Sequence, residues 1–259
     1  MAELDGKVAL VTGGLSGIGR AIVELFDQHG ASLIVFDAAD RSRDDGLTGD
    51  DLIQRLGHEA LFVQGDVSQP SAVESVFSTA LDRFDRIDVL VNNAGVTVFK
   101  PIDQLTVADF DRVMSINVRG TFLCCQRAIA HMRQQEKRGV IVNVASNFAF
   151  VGAPEAVIYC ASKGAVATMT KALALEAGPH GIRINALCPG ATATEFNRAH
   201  RARPEVLESW ETKTPLRVPG RDFLATPQQI AESALFLATG ASSYMTGSCL
   251  VANGGWNAE

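Results

Sequence analysis

The feature that most restricts the fold is an alternation, kept from end to end, between short runs rich in Val, Ile and Leu and longer stretches with helical spacing. The runs fall at 7–12, 32–36, 60–64, 88–92, 140–145, 183–188 and 248–252. They are apolar at successive positions rather than at every second one, so both faces of each strand must be buried, as in a parallel sheet covered by helices on either side. Between them apolar residues recur three and four apart, for example Ile18, Ala21, Ile22, Leu25 and Phe26, or Ala72, Val73, Val76, Phe77 and Leu81. That spacing marks one face of an α-helix. Parallel strands joined through helices require right-handed crossovers. The pattern predicts an α/β fold: a doubly wound parallel sheet of about seven strands with helices on both faces. A chain of 259 residues can bury one such core. No repeat, low-complexity tract or Pro/Gly/Ser-rich linker divides it, so residues 1–259 are read as a single domain.

Two stretches break the rhythm: 38–51, polar and charged, and about 191–226, with several arginines, prolines and large aromatics. Each follows the C-terminal end of a strand, the side on which open α/β sheets bind ligands. The second is long enough to cover a substrate. Composition says what the ligand is not. A formal net charge of −6 offers no basic field to a nucleic acid. No apolar run approaches the roughly 18 residues of a membrane-spanning helix, and the opening MAELDGKVALVTGG lacks the basic start and cleavage site of a secretory leader. A cytoplasmic protein with no nucleic-acid or membrane partner is expected. Cys124, Cys125, Cys160, Cys188 and Cys249 are odd in number and lack C-x-x-C spacing, so they are read as reduced, structural thiols, with no metal site.

The first run ends in Thr12-Gly13-Gly14-Leu15-Ser16-Gly17-Ile18-Gly19 and passes directly into a helix. Glycines at such a turn let the backbone approach a diphosphate, whose charge is favoured by free N–H groups and the positive end of the helix dipole. Asp37 closes the second strand, where a carboxylate accepts hydrogen bonds from both hydroxyls of an adenosine ribose and repels a 2′-phosphate. Arg41 and Arg43 follow, and are read as surface charges in a loop whose acids outnumber them. Farther on, Tyr159-Cys160-Ala161-Ser162-Lys163 sets a phenol and an ammonium four apart on one helix face. A phenol is a poor base at neutral pH, and an ammonium within ~4–6 Å lowers its pKa by about one to three units. The pair is predicted to transfer protons; a solvated helix face is the plain alternative. Ser146 closes the run 140–145 and faces the same crevice, while Asn117 puts an amide into a helical stretch that gains nothing from it. A turn cap and a core amide bonded to the backbone are the plain readings of those two.

Together these motifs resemble the short-chain dehydrogenase/reductase family over about residues 7–255. TGGLSGIG at 12–19 is similar to its T-G-x-x-x-G-x-G turn, NNAG at 92–95 to its motif after the fourth strand, and Ser146 with YCASK at 159–163 to its Y-x-x-x-K signature. The resemblance implies a Rossmann-type, dinucleotide-binding catalytic domain. It implies Tyr159 as general acid/base, Lys163 as the group that lowers the phenol pKa and holds the nicotinamide ribose, Ser146 as the group that orients the substrate oxygen, and Asn117 as support for a proton-relay water. For the cofactor it implies Gly13, Leu15, Ser16, Gly17, Ile18 and Gly19 of the turn, Asp37, and Asp66 with Val67 beside adenine. Asn92, Asn93, Ala94 and Gly95 would border the cofactor, and Pro189, Gly190, Thr192 and Thr194 would cradle the nicotinamide amide. Asn253 departs from the family's usual terminal D-G-G, and 217–226 is lengthened; these touch packing and the substrate mouth respectively.

The expected reaction moves a hydride between NAD(H) and a secondary alcohol or carbonyl of a small substrate, with Tyr159 taking the hydroxyl proton. Asp37, and Ser16 in place of a basic residue, favour NAD. An NADP-dependent carbonyl or 3-oxoacyl reductase and a non-catalytic nucleotide-sensing protein are the alternatives. Ser146, Asn147 and Phe148, with Phe196, Arg198, His200, Arg201 and Trp210 from the long segment, offer many donors and a few ring surfaces. That mixture predicts a sugar or polyol substrate; arginines that merely solvate a lid are the alternative. The resemblance also implies a homodimer or homotetramer through helices spanning about 106–133 and 159–177, with Phe110, Met114, Phe122, Leu123, Ile129, Met169, Leu173 and Leu175 as apolar candidates.

Overall fold

The computed structural model describes residues 3–135, 139–217 and 223–258. Its strands are β1 (Val8–Thr12), β2 (Ser32–Asp37), β3 (Ala60–Gln64), β4 (Val89–Asn92), β5 (Val140–Val144), β6 (Arg183–Pro189) and β7 (Cys249–Ala252). They match the expected runs nearly residue for residue. All pairings are parallel, in the order β3-β2-β1-β4-β5-β6-β7. The chain therefore winds outward from β1 to β3, returns to the other side of β1, and winds out again. Where the direction reverses, between β1 and β4, the crossing connections diverge and leave a crevice beyond the carboxyl ends of the strands.

The two sheet faces are covered by different helices. Ala9, Val11, Leu33 and Val35 pack with Ile22, Val23 and Phe26 of α1 (Gly17–Gln28) and with Ile230 and Leu235 of α9 (Pro227–Ala238). The alternate residues Val8, Leu10, Ile34 and Phe36 pack with Val76 and Phe77 of α3 (Pro70–Phe84) and Cys125 and Ile129 of α5 (Thr121–Met132). Each fully buried large side chain contributes about 1.5–3 kcal/mol, and burial on both faces is why these strands show no polar alternation.

Elsewhere the chain forms α2 (Gly49–Arg55), α4 (Val107–Met114), the long α6 (Val157–Ala177), α7 (Arg198–Arg201) and α8 (Pro204–Lys213). The stretch expected as one helix over 106–133 is not uniform. A π-helical turn, Ser115–Gly120, separates α4 from α5 and contains Asn117. The described parts of the segment 191–226 fold onto the strand ends: Trp210 of α8 packs with Phe223 and Leu224 against Ala191, Ala193 and Trp256. Of its lengthened part at 217–226, residues 218–222 lie outside the described residues. No helix among the described residues is long and apolar enough to cross a membrane.

Candidate active site

The site starts at the turn after β1. Gly13 and Gly17 have φ of +64° and +56°, the left-handed region that glycine enters without strain. A Cβ on Gly19 would lie 2.0 Å from the Gly13 carbonyl oxygen, so the start of α1 can sit on the turn only without one. Asn93, just past β4, donates through Nδ2 to the carbonyls of Thr12 (3.1 Å) and Gly13 (2.9 Å) and locks the two strand ends together. At the end of β2, Asp37 accepts from Leu15 N–H at 3.1 Å and Ala39 N–H at 3.0 Å, one bond per carboxylate oxygen, which leaves lone pairs on both. Gly17 N–H donates to the Asp44 carboxylate at 2.7 Å. Ile18 N–H and Gly19 N–H find no acceptor among the described residues, so the positive end of α1 retains free donors suited to an anion.

In the middle of the crevice, Ser146 at the end of β5 meets Tyr159 and Lys163 from α6. The Ser146 hydroxyl donates to Asn147 Oδ1 at 3.1 Å and accepts from Phe148 N–H at 3.2 Å. Burial pushes the Tyr159 phenol up to about 12, opposed by a hydrogen bond with Ser146. Burial pushes the Lys163 ammonium down to about 8. Lys163 Nζ donates to Val144 O at 2.7 Å and stands 5.7 Å from the Tyr159 ring centroid. The lowered phenol pKa expected from the spacing is thus corrected: desolvation outweighs every other influence on the phenol, and the ammonium is spent on a carbonyl.

Asn117 does what the plain reading of a buried amide requires. Its Oδ1 accepts from Val96 N–H at 2.8 Å, and its Nδ2 donates to Val96 O at 2.9 Å and to Ser162 Oγ at 3.0 Å. Ser162 in turn donates to Tyr159 O at 2.8 Å. The amide staples the loop after β4 to the first turns of α6 and holds Tyr159 opposite that loop. A Cβ on Gly95 would lie 3.4 Å from Asn117 Oδ1 and 3.6 Å from Lys163 Nζ, so glycine keeps the crevice floor clear.

One continuous cavity of about 290 Å³ runs from Asp37 to Trp256 along the strand ends. Of the expected cofactor residues, Gly13, Ser16, Gly17, Ile18, Asp37, Asp66 and Val67 border it at one end. Asn93, Ala94, Gly95, Tyr159, Lys163, Pro189, Gly190, Thr192 and Thr194 border its middle. Three do not. Leu15 is in the core and contributes only its N–H to Asp37, and Gly19 serves packing. Asn92 lies in the sheet, where Nδ2 donates to Asn143 Oδ1 at 2.9 Å.

Of the expected substrate residues, Ser146, Asn147, Phe148, Phe196 and Trp210 border the cavity, whereas Arg198, His200 and Arg201 do not. Arg198 is exposed and paired with Glu195 at 3.1 Å. The His200 ring lies flat on Phe99 at 3.7 Å. The donor-rich mouth expected from the sequence is therefore corrected to one walled by rings. Sequence reasoning missed Phe99, Trp256 and Asp44, all of which border the cavity. Trp256 follows the terminal Asn-Gly-Gly directly, and one of the chain's two tryptophans beside a glycine pair was the available signal. Phe99 and Asp44 sit in loops with no pattern that marks them.

The sequence profile of a family described as enoyl-(acyl carrier protein) reductase matches residues 13–257. Cyclopentanol dehydrogenase of Comamonas sp. is 36% identical, with 100% of each chain covered. Glucose 1-dehydrogenase 2 of Bacillus subtilis is 34% identical over 98% of this chain and 95% of its own. Among solved structures, a short-chain type dehydrogenase/reductase from Mycobacterium marinum superposes with a TM-score of 0.89 at 34% identity, covering 100% of this chain and 98% of the other.

Proposed function

The chain belongs to the short-chain dehydrogenase/reductase family, oxidoreductases that use NAD or NADP, and on that premise we propose that it is a cytoplasmic enzyme that interconverts a secondary alcohol and its ketone with NAD. The observation that carries the cofactor choice is Asp37. Its two oxygens, each holding one backbone N–H, face the cavity at the end of β2. They are placed to accept from ribose hydroxyls and to repel a 2′-phosphate. Asp44 adds a second negative charge on the same rim, beside Arg43.

The residues present fit a dinucleotide. The free N–H of Ile18, at the start of α1, would hold its diphosphate, and the open floor at Gly95 would admit its nicotinamide end beside Lys163. When bound, the nicotinamide supplies a hydride acceptor or donor at the carbinol carbon. Tyr159 takes the hydroxyl proton in oxidation and returns it in reduction, Ser146 holds the substrate oxygen beside the phenol, and Lys163 stands behind the phenol with its ammonium on Val144 O. Asn117 acts through Val96 and Ser162 as a positioning residue. A non-catalytic nucleotide sensor would have no use for a phenol, a hydroxyl and an ammonium held together in the crevice. Exposed apolar residues on α4 to α6 and on α9 with β7 support a homo-oligomer, dimeric through one face or tetrameric through both.

The test is kcat/KM with NAD and with NADP across a panel of secondary alcohols. NAD is expected to win by tenfold or more, and Asp37→Ala to narrow the gap. Ser16 is a poor companion substitution, because its hydroxyl accepts from Arg43 N–H at 2.8 Å and holds the loop. A higher kcat/KM with NADP in the unmodified enzyme would overturn the proposal.

A further inference from the structure

Past Tyr159 and Ser146 the cavity is walled by aromatic rings in an unbroken series. Phe196 lies 6.0 Å from the Tyr159 ring, and Phe148 stands edge-on to Tyr159 at 6.3 Å. Trp256 is 5.9 Å from Phe148, and Trp210 is 6.3 Å from Trp256. Phe99 closes the wall, backed by His200. Five aromatic side chains from four separate parts of the chain, the loop after β4, the end of β5, the segment after β6 and the C-terminus, thus converge on the reacting hydroxyls.

The charges nearest this wall are already satisfied. Among the described residues, the charged side chains that border the cavity are Asp37, Arg43, Asp44 and Asp66 at the glycine-turn end, Lys163 in the middle and Glu195. Lys163 donates to Val144 O, and Glu195 is paired with Arg198. Outside the wall, Arg203 holds Glu155 at 2.8 Å, and burial lowers the pKa of His200. Among the described residues that border the cavity, the cation nearest the aromatic wall, Lys163, is held by Val144 O, and Arg43 stands at the opposite, glycine-turn end. Two buried polar atoms on the wall do lack partners: Nδ2 of Asn147, a residue 4% exposed, and Oδ1 of Asn197.

We infer that the substrate is a ring-shaped secondary alcohol or its ketone, chiefly hydrocarbon, with few oxygens beyond the reacting one. The inference rests on the dehydrogenase reading above and deepens it. Flat apolar walls bury the faces of an alicyclic ring, while Asn147, Thr194 and Asn197 bring only a few polar atoms to its rim. A hexose or hexitol carries more hydroxyls than that. Each hydroxyl buried without a partner costs about 1–3 kcal/mol, or roughly ten- to a hundredfold in affinity.

The chain's only two tryptophans, Trp210 and Trp256, both border this pocket, so their fluorescence reports its occupancy without any turnover. Cyclohexanol, cyclopentanol, sorbitol, glucose and gluconate would be titrated into the Tyr159→Phe enzyme with and without NAD, following tryptophan emission. In parallel, kcat/KM with NAD would be measured for the unmodified enzyme. The ring alcohols are expected to give saturable spectral shifts that sorbitol, glucose and gluconate do not give, and a kcat/KM at least tenfold higher. Phe196→Ala, at the rim of the wall, should raise KM for cyclohexanol about tenfold with kcat little changed, and Phe196→Leu should recover most of the loss. Saturable shifts with sorbitol, glucose or gluconate but not with the ring alcohols, or a kcat/KM for any of those three within tenfold of the ring alcohols, would overturn the inference. Shifts with the ring alcohols but no turnover with either dinucleotide would instead overturn the dehydrogenase reading and leave the pocket's specificity standing.

Discussion

Tyr159 and Lys163 each pay for burial in the opposite currency. The phenol is held protonated, up to about 12, and the ammonium is eased toward neutrality, down to about 8. In the proposed oxidation the phenol must lose its proton, and the phenolate fraction grows about tenfold per pH unit below its pKa. The kcat/KM for alcohol oxidation should therefore climb throughout about pH 6–9, while ketone reduction, which needs the protonated phenol, stays level over the same range. Initial rates in both directions at constant ionic strength check this; a flat oxidation profile would remove Tyr159 from the role. Lys163 supports a second prediction. Its folded-state pKa is depressed from 10.5 to about 8, so below pH 8 the fold bears the full cost of a desolvated charge, a cost that fades as pH rises toward 10.5. Lys163→Met should lose activity at least a hundredfold, yet be as stable as the parent at pH 7 or more stable, by up to about 3 kcal/mol, with Tm unchanged or raised. A clear drop in Tm would show that the bond to Val144 O matters more than the charge.

At the level of elements, the π-turn Ser115–Gly120 is what brings Asn117 to Val96 and Ser162. Gly120 closes it against Val67, whose Cγ2 would stand 2.7 Å from any Cβ there. Replacing Asn117 by the similarly sized Leu strands the N–H and C=O of Val96, for about 2–4 kcal/mol. Ser162→Ala removes one hydroxyl and should cost nearer 1 kcal/mol with activity largely kept. Urea melts of the two variants check the ranking, and equal losses would mean that the staple to the Val96 backbone carries no special weight. The strands were legible in the sequence because burial on both faces writes itself as an unbroken apolar run. The π-turn was not, because Ser-Ile-Asn-Val continues a helical pattern on either side and the extra residue leaves no mark on the spacing. Tyr159 and Lys163 could be read from four-residue spacing on one helix, and Asp37 from its place at a strand end. Phe99, Trp256 and Asp44 could not, since each reaches the cavity from a loop whose course depends on the whole sheet. The arginines at 198 and 201 misled for the converse reason: in sequence they stand among the lining residues, but neither borders the cavity, and Arg198 is held by Glu195.

Over the whole molecule, the reversal of strand order at β1 and β4 puts the crevice on the carboxyl edge of the sheet, and the helices that fill the two faces leave apolar residues on their outer sides. Phe110 of α4, Phe122 of α5 and Leu175 of α6 are 47%, 44% and 80% exposed. Phe236 on α9 and Val251 on the edge strand β7 form a second exposed set, separate in the chain from the first and 36% and 41% exposed. A monomer gains nothing from keeping such residues in water, and a net charge of −6 is too small to prevent self-association of apolar faces. Two faces of this kind, each pairing with its own copy about a two-fold axis, close into a tetramer, whereas one alone stops at a dimer. Phe122→Glu with Leu175→Glu should break the first contact and halve the mass measured by light scattering, while Phe236→Glu with Val251→Glu should do the same through the second. If both double variants reach the same smaller species, the assembly is tetrameric with independent interfaces. If only the first changes the mass, it is a dimer through α4 to α6. A parent protein that is monomeric at micromolar concentration would rule out both.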